Sequence, residues 1–135
     1  MMIDESLCDI PGYEAVLRHF GRWPGFHDAI VEQLSLNIPG EILLAVRTWN
    51  MTSDVDERGY YRLTHRAVVK MVLSDVLELE LAGTDLQAGC ILFGLSLTRE
   101  GDTYRLGLDS TLGVGGEIRC SGVRLEVSPE DAVVS

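Results

Sequence analysis

The segment Trp23-Pro24-Gly25-Phe26-His27-Asp28-Ala29 gathers the densest set of residues able to do chemistry. An imidazole beside a carboxylate can move a proton or help hold a metal ion, because the carboxylate fixes the imidazole tautomer and raises its basicity. Adjacent positions suit this poorly. Neighbouring side chains of an extended chain point to opposite faces, so His27 and Asp28 are expected to serve different partners. In the structural reading Trp23 and Phe26 plug the core, while His27 and Asp28 hydrogen-bond backbone groups where the first strand begins. That reading is the expectation. A small metal-dependent or acid/base hydrolase using His27 and Asp28 with another carboxylate is the alternative.

Other groups fall short of a motif. Asp54, Asp56 and Gly59 imitate the first, third and sixth positions of a calcium loop, but Arg58 stands at the fifth and His65 where the chelating glutamate belongs. Gly113-Val114-Gly115-Gly116 resembles a phosphate-cradling loop in composition only. Such loops need the helix N-terminus that follows, and here a strand is expected; a hairpin or bulge requiring positive φ is the better account. Three histidines and three cysteines at wide spacing give no zinc motif, so His19 and His65 are read as surface or satisfied side chains and no metal or cofactor is expected. No serine or cysteine lies in a nucleophile elbow or beside a histidine. A catalytic role is therefore not expected.

The elements that must position these residues follow from apolar periodicity. Tyr13, Val16, Leu17 and Phe20 form a helical stripe, with start signals from Asp9 to Pro11 and a stop at Gly21. From Ile30 the period falls to two. Ile30, Leu34, Leu36 and Ile38 share a face interrupted by Glu32, and Pro39-Gly40 turns the chain. Ile42 to Trp49 is apolar at nearly every position and reads as a central strand, followed by a polar loop from Thr52 to Gly59. Ala67 to Leu73 and Leu77 to Leu81 read as a hairpin about Ser74-Asp75, which would set Lys70 opposite Glu80. Ile91 to Leu97, a turn at Gly101-Asp102, and Tyr104 to Leu108 follow. Ile118-Cys120 and Val123-Leu125-Val127 differ in phase by one residue, so a bulge or bend is expected at Ser121-Gly122. The expected fold is α+β but mainly β: an antiparallel curled sheet or sandwich of about eight strands with one N-terminal helix over one opening.

The 135 residues suit a single domain over 1–135. Eleven Lys and Arg against twenty-one Asp and Glu give a net charge of −10, which makes nucleic acid a poor partner and a basic protein a good one. No apolar run approaches the roughly 20 residues of a membrane helix, so no membrane partner is expected. Cys8, Cys90 and Cys120, an odd number without close pairing, together with an acidic N-terminus, point to reduced thiols in the cytoplasm.

The stretch Gly21 to Ile30, G-R-W-P-G-F-H-D-A-I, resembles the F-H-D-A-[EV]-[IV] signature of small bacterial proteins of the immunity protein 50 type, found in polymorphic toxin systems. A strand, tight turn and L-E-L-E-L strand near Val69 to Leu81, and L-D-S-x-x-G-x-G-G-x-I-x-C from Leu108 to Cys120, resemble later parts of the same pattern. Ile30 departs from it, standing where an acidic residue is usual. The resemblance implies a non-catalytic protein that binds and neutralises a cognate toxin. Asp54, Asp56, Glu57, Glu78 and Glu80 are the expected contact acids for a basic toxin such as a nuclease, whose cleft they would enter in place of phosphates. A self-associating structural subunit is a further alternative, so the chain is expected as a monomer or homodimer.

Overall fold

Tyr13, Val16, Leu17 and Phe20 all lie buried on one side of α1 (Tyr13–Phe20) in the computed structural model, which describes residues 5–55, 57–59 and 61–130. Gly21 ends the helix in the left-handed conformation, φ 78°, its N–H donating to Leu17 O at 2.7 Å. The start differs from expectation. Gly12, not an acid, is the N-cap, and Asp9 instead lies 3.5 Å from the Arg99 guanidinium.

Five strands follow among the described residues: β1 (Ile30–Leu36), β2 (Ile42–Val55), β3 (Tyr61–Thr84), β4 (Ile91–Glu100) and β5 (Thr103–Pro129). All pair antiparallel in the order β1-β2-β3-β5-β4, and Ile30 meets Ile91 to close the sheet into a barrel. A mainly β antiparallel sheet with one α-helix at its head therefore holds, while the count of eight strands and the sandwich do not. No helix among the described residues is long and apolar enough to cross a membrane.

The surplus strands of the sequence reading are segments of two very long ones. Ser74-Asp75 is no hairpin: β3 runs through it, pairing Leu73 with Val123, Ser74 with Gly122 and Val76 with Cys120. Lys70 accordingly lies opposite Ala45 and Glu126 rather than Glu80. Asp75 takes φ 52°, so the inward face of β3 shifts phase there, from Leu73 to Val76. β5 shifts phase at the facing level, from Cys120 to Val123, so the ladder continues without an extra residue at Ser121-Gly122. The extra residue is Leu77, skipped between the Val76 and Glu78 pairs. Glu32 has the same origin in β1: the register skips from Val31 to Gln33, leaving the odd polar residue as a bulge that pairs with Arg47 at 2.9 Å.

The glycine run Gly113 to Gly116 lies inside β5, where the strand leaves β4 and begins to pair with β3. Gly113 at φ 100° backs onto Cys90, and Gly116 at φ 140° lies against the Glu80 carbonyl; a Cβ at either would collide. Positive φ is thus required here, as the sequence predicts, though for a bend rather than a hairpin. The loop expected from Thr52 is shorter, since β2 continues to Val55.

One core fills the barrel. Leu44, Val46, Val69, Met71, Leu73, Leu92, Leu106, Ile118 and Leu125 join the buried stripe of α1 in a single cluster. The helix and the turn that leads into it are tied to three strands: Leu125 N–H donates to Pro11 O at 2.7 Å, Asn50 Nδ2 to Phe20 O at 2.8 Å, and His19 Nε2 to His65 O at 3.0 Å. Cys120 lies in this core, and burial, aided by the nearby Asp75 charge, lifts its thiol from 9.0 to about 11 despite a Gly122 backbone hydrogen bond that favours the thiolate. The unfolded chain then loses this proton at lower pH than the folded one. The contribution is complete below pH 9 and disappears as pH rises through about 11, on the order of 2–3 kcal/mol in all. Urea midpoints measured from pH 8 to 11 should therefore fall more steeply for the wild type than for Cys120→Ala.

Candidate functional site

The segment from Gly21 to Ala29 leaves α1 and must lay the chain beside β4 before β1 can begin. Trp23 stacks on Tyr13, with ring centroids 5.3 Å apart, and meets Phe26 edge-on at 5.6 Å. Phe26 is buried at φ 58° and Ala29 is fully enclosed. Backbone hydrogen bonds then join the segment to β4: Asp28 N–H to Leu92 O at 2.9 Å, Leu92 N–H to Ala29 O at 2.8 Å, and Val31 N–H to Cys90 O at 3.0 Å. This is the seam that closes the barrel.

His27 takes part in it. Its Nδ1 lies 3.2 Å from Phe93 O, and because a carbonyl only accepts, Nδ1 is the donor. Its ring also meets the Phe93 ring edge-on at 5.3 Å. Asp28 departs from expectation. The alternation of an extended chain would send its carboxylate away, but Asp28 has φ 63°, a conformation Asp tolerates better than most residues. The turn swings Oδ2 to 3.6 Å from His27 Nε2. Both side chains stay open to solvent, 60% and 56% exposed, outside the clefts described below. The arrangement orients an imidazole on a surface and seals a seam.

His27→Ala should remove one hydrogen bond and one ring contact from that seam, costing about 1 kcal/mol. Hydrogen exchange should report it as faster exchange at the Asp28 and Leu92 amides, with the amides of β3 unchanged.

Of the expected contact acids, the described ones, Glu57, Glu78 and Glu80, do not share one surface. The Asp54 side chain and Asp56 lie outside the described residues, and Glu57 is exposed in the β2–β3 turn. Glu78 and Glu80 are far along β3, beyond the bulge, where each meets β5. Glu78 pairs with Arg119 at 3.3 Å; Glu80 faces Glu117, which Arg105 reaches at 4.0 Å. Together these four charged residues and Arg105 line a cleft of about 350 Å³, with both signs of charge on its walls.

A different feature escaped the sequence reading. The β1–β2 turn and the β3 bulge enclose a cleft of about 510 Å³, lined by Ile38, Pro39, Glu41, Asp75, Leu77 and Leu79 among others. Ile38 is 81% exposed, Leu77 54% and Leu79 38%, three large apolar side chains left in solvent. The signal available in sequence was Pro39-Gly40 followed by Glu41, a turn that carries its apolar neighbour past the end of the strand.

His19 and His65 are both satisfied, His19 on the His65 carbonyl and His65 Nδ1 on Thr64 Oγ1 at 2.9 Å. Among the described residues no three His, Cys, Asp or Glu side chains converge as a metal site. Fold and seam together define a helix-headed, five-stranded antiparallel barrel. No family model, curated protein or solved structure matches the chain.

Proposed function

We propose that this chain is a non-catalytic, immunity-type protein that binds a basic toxin, such as a nuclease, and neutralises it in the cell that makes both. The observation that carries the proposal is charge: −10 on a 135-residue chain that folds as a single closed barrel. A field of that sign speeds encounter with a cationic protein and repels nucleic acid. The use made of the F-H-D-A segment supports it, since Phe26 anchors the core and the exposed His27 holds a β4 carbonyl.

The approach of Asp28 to His27 favours a second reading, a hydrolase built on that pair. It wants a third titratable group within hydrogen-bond reach and a concave substrate site. The two separate in one experiment. Affinity capture from the producing cell should recover a basic protein whose expression alone arrests growth and whose co-expression with this chain does not. Recovery of no basic partner, together with turnover of a small substrate that His27→Ala abolishes, overturns the immunity reading.

A further inference from the structure

We infer that the cleft between the β1–β2 turn and the β3 bulge is where the protein partner docks, and that it takes an apolar side chain flanked by basic residues. The inference rests on the immunity reading and adds to it the surface and the chemistry recognised. Three exposed apolar side chains, Ile38, Leu77 and Leu79, come together here from the β1–β2 turn and from β3, remote in sequence. Each of the first two has a specific backbone cause for facing out. The turn carries Ile38 past the end of β1, and the bulge leaves Leu77 without a partner on β5. Bulges recur beside functional sites because they re-aim a side chain.

The rim selects the occupant. Of its carboxylates, Glu78 is held by Arg119 at 3.3 Å, while Glu41 and Asp75 have no ion pair among the described residues. An apolar floor with two uncompensated carboxylates at its edge matches a partner segment in which Lys or Arg brackets a large apolar side chain. A second copy of the chain fits worse. A two-fold interface on this patch would bury both acidic rims in one contact, setting four uncompensated carboxylates within it.

The probe is a fluorescein-labelled peptide, Arg-Lys-Leu-Trp-Lys-Arg, with two controls: one with Gly-Gly for Leu-Trp, one with Glu for every basic residue. Anisotropy with the full chain should show binding of the first peptide only. Amide shifts should move at Ile38, Glu41, Asp75 and Leu77. Leu77→Ser, a change at an exposed position that the barrel tolerates, should weaken binding about tenfold, the effect of losing a central anchor. Asp75→Asn should weaken it less and flatten its salt dependence, and Asp102→Asn in the exposed β4–β5 turn should leave it unchanged. Shifts confined to other residues, wild-type affinity in Leu77→Ser, or a dimer that Leu77→Ser abolishes would each overturn the proposal. The immunity reading fails separately. A Leu77→Ser chain that still captures and neutralises a basic toxin as the wild type does sinks the cleft alone, whereas a wild-type chain that captures no basic protein sinks the parent reading.

Discussion

Gly116→Ala should remove on the order of 4 kcal/mol, enough to leave much of the protein unfolded given that domains are stable by about 5–15 kcal/mol. Two costs combine. At φ 140° an L side chain is strained, typically by roughly 1–3 kcal/mol. The new Cβ would also collide with the Glu80 carbonyl, a backbone atom of the paired strand that cannot swing aside, and overpacking of that kind costs about 1–3 kcal/mol more. The ladder itself has to move. Gly94→Ala is the matched control: Gly94 sits in β4 outside the left-handed region, with nothing within 4 Å of the place its new methyl would take, so that change should be neutral or slightly stabilising. Urea denaturation of both variants decides the matter. A Gly116→Ala midpoint equal to that of Gly94→Ala would show that β5 can bend elsewhere.

Phe26→Ala should cost about 3–5 kcal/mol, the usual penalty for emptying a buried aromatic site. The ring is fully enclosed and touches Trp23 edge-on at 5.6 Å, and Trp23 in turn stacks on Tyr13 of α1. The loss therefore reaches the helix, because the aromatic row joins α1 to the seam. A fall in melting temperature of roughly 10–20 °C is expected, read by near-ultraviolet circular dichroism of the Trp23 band. Phe26→Leu, which keeps apolar volume at the same φ, should recover a good part of it. Near wild-type melting in Phe26→Ala would mean that the seam is held by its backbone bonds alone.

The sequence announced some of this and concealed the rest for definite reasons. Helix α1 was readable because Tyr13, Val16, Leu17 and Phe20 repeat at helical spacing and Gly21 can do little there but stop it. The β4–β5 hairpin was readable from Gly101-Asp102, where the chain does turn. Ser74-Asp75 has the composition of a turn, yet its pairing with β5 outweighs that local preference, and the polar pair is spent on a kink. Register is a relation between strands remote in sequence, which periodicity within one strand does not contain. For the same reason Lys70 meets Glu126, an opposite-charge pairing of the expected kind with an unexpected residue. The alternation rule failed at His27 and Asp28 because it presumes extended backbone, and Asp28 is left-handed. Exposure of Ile38 and Leu77 was hidden because each stands at one end of an apolar run, where the turn or the bulge takes the backbone out of that period.

β3 and β5 are 24 and 27 residues long, and they pair from Ala67 with Pro129 to Thr84 with Gly113. As the chain leaves the ribosome, Val68 to Leu73 must therefore wait for their partners, Ser128 to Val123, made 50 to 60 residues later, to lie beside them. Until then one flank of β3 stands open, its amides and carbonyls available to any passing strand. Contacts so distant along the chain also slow the search for the native arrangement, toward the millisecond-to-second range of all-β domains. The nascent protein accordingly has a window in which a chaperone, or its own neighbour on the polysome, competes with β5.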